Sequence, residues 1–392
     1  MAKTAPFPVS GLPAMLGGDP AFPEGLALVR PSLPPESVVD DIRKILSGPV
    51  LTNGPYVREL EERSGDYLGV RHCIAVSSCT SGLMLVLRVA DLTGEVVIPS
   101  FTFAATAHAV EWNGLRPVFA DVDPDTLLLS PDAVRRAITT HTSAILATHT
   151  YGTPCDTEGL SEMARSAGAR LFFDAAHAFG SQHNGKRVGG FGDAEIFSLS
   201  PTKVLVASEG GIIATNDEAL AEQCRIGRDY GNPGDYDCRF VGLNARMSEV
   251  HAAIALGSLT DLNERIGRRN ALAGLYREAL EAFPGISFPK VPEGDRSTYK
   301  DFTMLVDPDG FGLDAPGLQR ALAAEGIESR RYYSPPVHAM RAYRSVAGTN
   351  GGLPVTDSAA SRVITLPMWT GMTARHVARV ADAVGRIGRF VG

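Results

Sequence analysis

Lys203 is the residue in this sequence whose position points most directly to chemistry. Only six of the 37 basic residues are lysines, and Lys203 stands between two apolar segments in FSLSPTKVLVASEGGIIATND. A solvated surface charge is not expected there, whereas a partly buried lysine readily changes its pKa and can act as a nucleophile that forms Schiff bases. The alternative is an ordinary loop lysine, and the segment alone does not decide between the two.

A carboxylate and an imidazole lie in another apolar segment, RLFFDAAHAFG. Asp174 ends a stretch that is too apolar for a surface strand, so its carboxylate needs a cationic or hydrogen-bonding partner. That partner is either a bound ligand or the backbone of the following turn. His177, three residues later, is by itself more typical of a core histidine than of a functional one.

Small and aromatic residues follow two further apolar segments. The stretch SCTSG at 78–82 opens a predicted helix, where backbone N–H groups and hydroxyls suit a phosphate but also serve as an ordinary cap. Phe101 and Phe103 follow EVVIPS. Aromatic residues in that position usually belong to the core, and one of them can instead stack on a planar ring.

The elements that position these residues alternate short apolar segments with helical patterns. Strands are predicted at 73–78, 95–100, 117–122, 143–150, 170–176, 195–200 and 210–217. Helices are predicted at 36–47, 55–67, from Thr80 onward, 102–112, 131–139 and 157–167. Near-continuous apolar segments separated by helices are typical of parallel strands covered on both faces. We therefore predict an α/β doubly wound domain, in which ligands lie beyond the carboxyl ends of the strands.

The pattern changes to helix after residue 217. A long helix is predicted from Met247 to about Phe283, with a break near Gly257. A smaller α+β unit follows, with strands at 301–306 and 327–333 and helices at 315–325 and 375–387. We expect three parts: an irregular arm over 1–30, a large domain over 31–255, and a connecting helix with a small C-terminal domain over 256–392.

The four features together match the requirements of one cofactor. Pyridoxal 5′-phosphate (PLP) needs a phosphate anchor, a ring stack, an anion beside its pyridine nitrogen and an amine for its aldehyde. Other cofactors fit less well, because no G-x-G-x-x-G follows the first strand, Gly189–Gly192 lacks the required spacing, and no G-x-x-x-x-G-K-[ST] is present. The nine histidines show no spacing typical of a metal site.

Composition excludes several other classes of protein. A length of 392 residues suggests two or three compact units, and a net charge of -7 without a basic run excludes a non-specific nucleic-acid binder. The five cysteines are scattered and form no C-x-x-C pair, which favours a reducing, intracellular setting.

No apolar stretch approaches the roughly 18 residues of a membrane span, and Pro and Gly interrupt the N-terminus before a signal-type apolar region forms. We expect a soluble, cytoplasmic protein with neither nucleic-acid nor membrane partners.

From about residue 30 to 390 the sequence resembles the DegT/StrS-type sugar aminotransferases, the nucleotide-sugar branch of the fold-type-I PLP enzymes. The segments that carry the resemblance are, in order, SGPVLTNGPYVRELEE (47–62), AVSSCTSGLMLVL (75–87), IPSFTFAATAHAV (98–110), THTYGTPCD (148–156), FFDAAHAFGS (172–181), FSLSPTKVLVASEGGIIATND (197–217), VGLNARMSEVHAAIAL (241–256) and RRYYSPPVH (330–338). The resemblance implies a mostly parallel central sheet flanked by helices, with a smaller C-terminal α+β domain.

The resemblance also implies a role for individual residues around PLP. Lys203 would bind the cofactor's aldehyde, Asp174 would pair with its pyridine nitrogen, and His177 would lie near its phenolic oxygen. Phe103 would stack on the ring. The phosphate would be held by Cys79, Thr80 and Ser198, and by Asn244 from the other subunit of a homodimer with shared active sites.

Other positions correspond to substrate contacts in this family. They are Thr52, Asn53 and Gly54, and the segment around Tyr332 and His338. Because lysines are so few, arginines are expected to bind the acceptor's diphosphate, and Arg330 and Arg331 are the candidates, with a solvated strand end as the alternative.

The sequence departs from the family at two places beside the cofactor. Cys79 stands where the family usually has Gly, which would be uncomfortable at a positive φ. Leu-Ser-Pro-Thr precedes Lys203, where an aromatic residue and a His are common in the family, so the local substrate contacts are expected to differ.

The activity implied by the resemblance is transfer of an amino group from glutamate to a nucleotide-linked keto-sugar. We favour dTDP-4-keto-6-deoxy-D-glucose, aminated at C4, in deoxyaminosugar biosynthesis such as that of antibiotics. A 3-keto sugar or a keto-cyclitol is the alternative acceptor. Related dehydratases carry a histidine in place of the lysine, so Lys203 argues against dehydration, and a non-catalytic regulator with this fold is a further alternative.

Overall fold

The computed structural model describes residues 11–32, 35–345 and 352–391 of the chain. Its helices are α1 (Ser37–Leu46), α2 (Pro55–Leu68), α3 (Cys79–Val89), α4 (Ala104–Glu111), α5 (Pro131–Ala137), α6 (Thr157–Ala167), α7 (Glu218–Gly227), α8 (Glu249–Leu259), α9 (Leu262–Leu280), α10 (Pro308–Phe311), α11 (Ala315–Ala324), α12 (Pro354–Arg362) and α13 (Ala374–Val391). Its strands are β1 (His72–Val76), β2 (Glu95–Pro99), β3 (Arg116–Ala120), β4 (Thr142–Thr148), β5 (Arg170–Asp174), β6 (Gln182–His183), β7 (Lys186–Arg187), β8 (Ala194–Ser198), β9 (Gly211–Thr215), β10 (Ile286–Ser287), β11 (Phe302–Val306) and β12 (Val363–Leu366). The predicted arm over residues 1–30 lies outside the described residues for its first ten positions.

A seven-stranded sheet in the order β1-β9-β8-β5-β4-β2-β3 forms the centre of the larger unit. The pairs β2–β3, β2–β4, β4–β5 and β5–β8 are parallel, which confirms the predicted mostly parallel sheet. Strand β9 is different, because it pairs antiparallel with both β8 and β1. The expectation of a parallel strand at 210–217 was wrong, since a parallel connection needs a crossover, usually a helix, and none separates β8 from β9.

Helices cover both faces of this sheet, as predicted. Alternate residues of each strand face opposite sides. On β1, Ile74 and Val76 pack in a core shared with α3, α4 and α7. Cys73 and Ala75 face the other side, in a core shared with α2 and α8. The sheet is therefore buried on both faces, and ligands can reach it only at the ends of its strands.

The directions of the strands bring the predicted chemical groups to one edge. The carboxyl ends of β1, β5 and β8 lie there, and Gly211, the first residue of β9, pairs with both Val76 and Ser198. A Cβ atom on Gly211 would lie 2.6 Å from the backbone nitrogen of Cys79. Glycine at this position therefore allows the start of α3 to pack directly against the start of β9.

A smaller unit contains the antiparallel sheet β10-β11-β12, packed with α9, α11 and α13. The segment 327–333 was predicted as a strand but makes only single bridges at Ile327 and Arg330. Strand β12, which the sequence analysis missed, pairs with β11 instead. The long helix predicted from Met247 is divided at residues 260–261 into α8 and α9, three residues beyond the expected break.

The described part of the N-terminal arm packs on this smaller unit. Leu26 forms a parallel bridge with Ile327, and the amide of Phe22 donates to the carbonyl of Glu325 at 2.8 Å. Among the described helices, none combines the length and hydropathy needed to cross a membrane. The domain boundaries at residues 30 and 255 stay predictions.

Candidate active site

A cavity of about 290 Å³ opens at the carboxyl edge of the central sheet, where the smaller unit packs against it. Seven of the eight residues predicted to contact the cofactor line it, namely Cys79, Thr80, Phe103, Asp174, His177, Ser198 and Lys203. The eighth, Asn244, is exposed and does not line the cavity of this protomer. The strand ends and the loop between β8 and β9 thus bring together groups that are up to 124 positions apart in the sequence, from Cys79 to Lys203.

Lys203 is half-buried in the loop between β8 and β9, and its amide donates to the carbonyl of Ser200 at 3.0 Å. It forms no ion pair with any residue in the described ranges. Burial lowers the pKa of its amine to about 8, and the nearby charge of Lys300 contributes in the same direction. The unprotonated amine, the form that a nucleophile requires, is therefore far more abundant near neutral pH than it is for an ordinary lysine.

Asp174 ends β5 and is only 4% exposed. The hydroxyl of Thr106 donates to its Oδ2 at 2.7 Å, and the amide of Ala176 donates to its Oδ1 at 3.1 Å. Burial raises the pKa of Asp174, and these two hydrogen bonds oppose that effect because they stabilise the carboxylate. A cationic N–H in the cavity would further favour the charged form, which fits the pyridine nitrogen of PLP.

A chain of buried threonine hydroxyls supports Asp174. Thr102 lies 3.0 Å from Thr106 and 3.0 Å from Thr148, counted between their Oγ1 atoms. All three residues are at most 6% exposed. The sequence analysis missed this chain, since threonines inside apolar segments carry no local signal of their partners.

His177 lines the cavity, and its ring is uncharged. Burial and the neighbouring amines of Lys203 and Lys300 hold the pKa of its imidazole well below the usual value, so the ring is neutral. Its Nδ1 is buried and has no hydrogen-bond partner within the described part of the chain. A buried polar atom in that state is suited to a polar atom of a ligand, which agrees with the predicted place beside the phenolic oxygen.

The start of α3 both caps the helix and leaves donors for an anion. Ser78 and Ser81 form a reciprocal capping box, and Cys79 and Thr80 are the first two helical residues. The first amides of a helix have no intrahelical acceptor, which makes this end a site for phosphate. Cys79 is not among the residues with positive φ, so the strain expected from the missing glycine does not arise.

The two candidate aromatic residues occupy different places. Phe101 is fully buried and packs edge-on against Tyr333, with ring centroids 5.7 Å apart. Phe103 is 63% exposed and lines the cavity at the start of α4. Phe101 therefore belongs to the core, and Phe103 is the ring available for stacking on a cofactor.

Of the predicted substrate residues, only Tyr332 lines the cavity. The amide of Gly54 donates to the buried carboxylate of Glu249 at 2.8 Å, at the start of α2. Thr52 and Asn53 precede it and do not reach the cavity of this protomer. His338 hydrogen-bonds Ser100 at 2.7 Å through Nδ1.

The two arginines expected to bind a diphosphate have partners in the smaller unit. Arg330 pairs with Glu328 at 2.9 Å on the surface, and Arg331 donates to the carbonyl of Ala360 at 2.9 Å. Neither lines the cavity. The cationic side chains that line this protomer's cavity, among the described residues, are lysines, and the role of the two arginines toward a diphosphate stays a prediction.

The sequence analysis missed a buried ion pair in the cavity wall. Lys300 and Asp301 both line the cavity, and Lys300 Nζ lies 2.8 Å from Oδ1 and 3.1 Å from Oδ2 of Asp301. Tyr333 and Glu209 also line it without having been predicted. A signal was available, because Lys300 is one of only six lysines and stands two residues before the first residue of the apolar strand β11.

Comparisons with known proteins agree with this geometry. The model of the DegT/DnrJ/EryC1/StrS aminotransferase family matches residues 35–385. The chain is 33% identical over 361 residues to the dTDP-4-amino-4,6-dideoxy-D-glucose transaminase of Escherichia coli, covering 91% of this chain and 96% of that protein. It is 35% identical over 354 residues to the UDP-N-acetyl-3-dehydro-alpha-D-glucosamine 3-aminotransferase of Acidithiobacillus ferrooxidans, covering 90% and 94%. The crystal structure of DesI in the presence of its TDP-sugar product is similar with a TM-score of 0.90 and 39% identity, covering 95% of each chain.

Proposed function

Because the chain belongs to the DegT/DnrJ/EryC1/StrS aminotransferase family and is a PLP-dependent sugar aminotransferase, we propose that it transfers the amino group of glutamate to C4 of dTDP-4-keto-6-deoxy-D-glucose. The observation that carries the finer proposal is the similarity to DesI, whose structure was determined with a TDP-sugar product, together with that to the Escherichia coli 4-amino-sugar transaminase. The relative from Acidithiobacillus ferrooxidans supports a second candidate, amination at C3.

The residues of the cavity fit PLP, and we assign them as follows. Lys203 would hold the aldehyde, Asp174 the pyridine nitrogen, and His177 Nδ1 the phenolic oxygen, with the ring against Phe103. The phosphate would lie at the amides of Cys79 and Thr80 and the hydroxyl of Ser198. When bound, PLP supplies an aldehyde that takes up amino groups and a ring that stabilises negative charge on the adjacent carbon.

Lys203 moves the proton in both half-reactions. Its Nζ takes a proton from the carbon that bears the donor's amino group, and later gives a proton to the sugar carbon that receives the amino group. A pKa of about 8 suits both tasks near neutral pH, because the amine can then exist in either state at modest cost. Because the pKa of His177 is held well below its usual value, its ring is a weak base, which leaves Lys203 as the proton carrier at this side of the cavity.

Asp174 keeps a negative charge at the floor of the cavity. Two hydrogen bonds stabilise its carboxylate, and the threonine chain holds the donor hydroxyl of Thr106 in place. The anion in turn favours a protonated ring nitrogen beside it. Asp174 thus keeps the ring nitrogen protonated, and proton removal by Lys203 depends on that protonated nitrogen.

We further propose that two copies of the chain share each site. Asn244 and the segment 52–54 lie off the cavity of their own protomer, as expected for residues that act across an interface. Exposed apolar side chains adjoin both places: Leu51 is 51% exposed beside Thr52, and Val241 is 75% exposed close to Asn244. A partner subunit that covers these side chains would place its own Asn244 and its own residues 52–54 at this protomer's cavity.

The experiment that tests the proposed substrate supplies the PLP-loaded enzyme with glutamate and a panel of acceptors. The panel contains dTDP-4-keto-6-deoxy-D-glucose, dTDP- and UDP-3-keto sugars and a keto-cyclitol, with Lys203→Ala as the inactive control. We expect 2-oxoglutarate to accumulate with the 4-keto sugar, and NMR to place the amino group at C4. Turnover confined to a 3-keto sugar or a cyclitol would replace the proposed acceptor, and no turnover with any acceptor would favour a regulator.

A further inference from the structure

The cavity has a second lysine whose charge the mechanism above does not use. Among the described residues, Lys203 and Lys300 are the only cationic side chains that line the cavity, since His177 is neutral. The nitrogen of Lys203 is occupied with proton transfer and cannot also serve as a fixed counter-ion. Any carboxylate that enters this protomer's cavity therefore meets its counter-charge at Lys300.

Lys300 is buried, and the two oxygens of Asp301 account for only part of the hydrogen-bonding capacity of its ammonium. An ammonium group has three N–H donors, and two of them account for the contacts with the two oxygens of Asp301. Nζ also lies over the ring of Tyr332, whose centroid is 5.4 Å away. Lys300 and Tyr332 both line the cavity, so a ligand beside that ring lies close to the ammonium.

A second buried cation lies behind the Lys300–Asp301 pair. Arg269 is 4% exposed and donates from Nη2 to the carbonyl of Lys300 at 2.7 Å and from Nε to that of Tyr299 at 2.9 Å. Around the Lys300–Asp301 pair, two cations therefore face one carboxylate. An anionic ligand beside Lys300 meets a locally positive part of the wall.

The backbone at Lys300 is fixed to the wall that carries the other catalytic groups. The amide of Lys300 donates to the carbonyl of Tyr151 at 3.0 Å. The hydroxyl of Thr298 donates to the carbonyl of His177 at 2.6 Å. These bonds tie the segment before β11 to the large unit, so the ammonium is held in place before any ligand arrives, as a binding site requires.

We infer that Lys300 binds a carboxylate of the amino donor, and that Asp301 holds its ammonium in place when the donor is absent. The inference rests on the proposed use of glutamate as the donor. It assigns a role in donor selection, because glutamate carries two carboxylates while the hexose ring of the acceptor carries none. Lys300 would thereby let one cavity accept an amino acid in the first half-reaction and a sugar in the second.

The test compares Lys300→Met, Lys300→Arg and Asp301→Asn in the PLP-loaded enzyme. Lys290→Met is the matched control, because Lys290 forms a comparable Lys–Asp pair with Asp125 at 2.9 Å on the surface, away from the cavity. One measurement is the glutamate dependence of the first half-reaction, followed by absorbance. A second is binding of succinate, a dicarboxylate that cannot react, by titration calorimetry.

We expect Lys300→Met to weaken the apparent affinity for glutamate by about 10- to 100-fold, the range for one charge-assisted hydrogen bond. Succinate binding should weaken in parallel, Lys300→Arg should recover most of both losses, and Lys290→Met should change neither. Asp301→Asn should strengthen succinate binding, since it removes the competing carboxylate. The double variant Lys300→Met/Asp301→Asn, which removes both charges of the pair together, should keep the loss of affinity.

Two results would overturn the inference. The first is a Lys300→Met enzyme that folds, by circular dichroism, and binds glutamate and succinate as the wild type does. The second is a loss of equal size for glutamate and for the amino-sugar product in the reverse half-reaction, which would indicate a general structural role. A wild-type enzyme that does not react with glutamate at all would instead refute the proposed donor, and succinate binding would still test Lys300.

Discussion

Replacing Thr106 by valine removes one hydroxyl from the floor of the active site with little change in volume. Thr106 is fully buried, and its hydroxyl donates to Asp174 Oδ2 at 2.7 Å. A hydrogen bond to a charged group contributes about 1.5–3 kcal/mol. Since 1.36 kcal/mol corresponds to one pH unit, the loss should move the pKa of Asp174 upward by about one to two pH units.

The sign of the effect on activity follows from the state that Asp174 has to adopt. The carboxylate must be ionised to keep the cofactor's ring nitrogen protonated, so activity falls as the pH drops through its pKa. Thr106→Val should therefore shift the acidic limb of the kcat/KM profile to higher pH. Thr106→Ser retains the hydroxyl, so its acidic limb should lie at the wild-type pH. Thr102→Val removes the hydroxyl that contacts Thr106 and not the one that contacts Asp174, so it should shift the limb less.

Unfolding of the apoprotein supplies an independent measurement of the same bond. At pH values above the raised pKa of Asp174, the valine variant should lose about 1.5–3 kcal/mol of stability relative to the wild type. The difference should shrink as the pH falls and the carboxyl becomes protonated, because the lost bond then matters less. A loss that is the same at every pH, with an unmoved kinetic limb, would indicate a packing defect and refute the reasoning.

Three further predictions follow from the same contacts. Gly211→Ala places a Cβ atom 2.6 Å from the Cys79 nitrogen, so it should displace the start of α3 and weaken PLP binding by about tenfold or more, read by fluorescence titration. Glu249→Gln weakens three bonds at the start of α2, from the amides of Gly54, Tyr56 and Val57, and should cost about 1–3 kcal/mol in urea unfolding. The rate at which the apoprotein captures PLP should rise with pH around a midpoint near 8, because the Lys203 amine reacts as the free base.

Each of these has a control and an opposing outcome. Gly274→Ala, on α9 with open space around its Cα, should leave PLP affinity intact; equal losses at both glycines would show a general effect. The exposed Glu278→Gln is the control for Glu249→Gln, and equal stability of the two variants would contradict the capping role. A capture midpoint above pH 10 would show that burial does not lower the pKa of Lys203.

The sequence predicted the parts of the fold and of the site that depend on local pattern. The apolar segments correctly predicted the two strands that end at Asp174 and Ser198. The small residues at 78–82 correctly predicted the start of α3. The direction of β9 was not predictable in that way, because the apolar pattern of GGIIATND is the same for a parallel and for an antiparallel strand. What decides the direction is the connection through Lys203, which has no helix to carry a parallel crossover.

Long-range contacts account for what the sequence analysis missed. Strand β12 is recognised by its pairing with β11, more than 50 residues earlier in the chain. Lys300 reaches the cavity because its amide bonds Tyr151 and its neighbour Thr298 bonds His177. Arg330 pairs on the surface with Glu328, two residues away, a contact that its sequence position alone did not reveal.

The central claim is that Lys203, and not the other cavity lysine, holds PLP by its amine. Borohydride reduction of the PLP-loaded enzyme followed by peptide mass spectrometry tests it most directly, because reduction makes the link permanent. We expect a pyridoxyl-phosphate group on the peptide that contains Lys203 and an unmodified Lys300. A label on Lys300, or a label that persists in the Lys203→Ala variant, would contradict it.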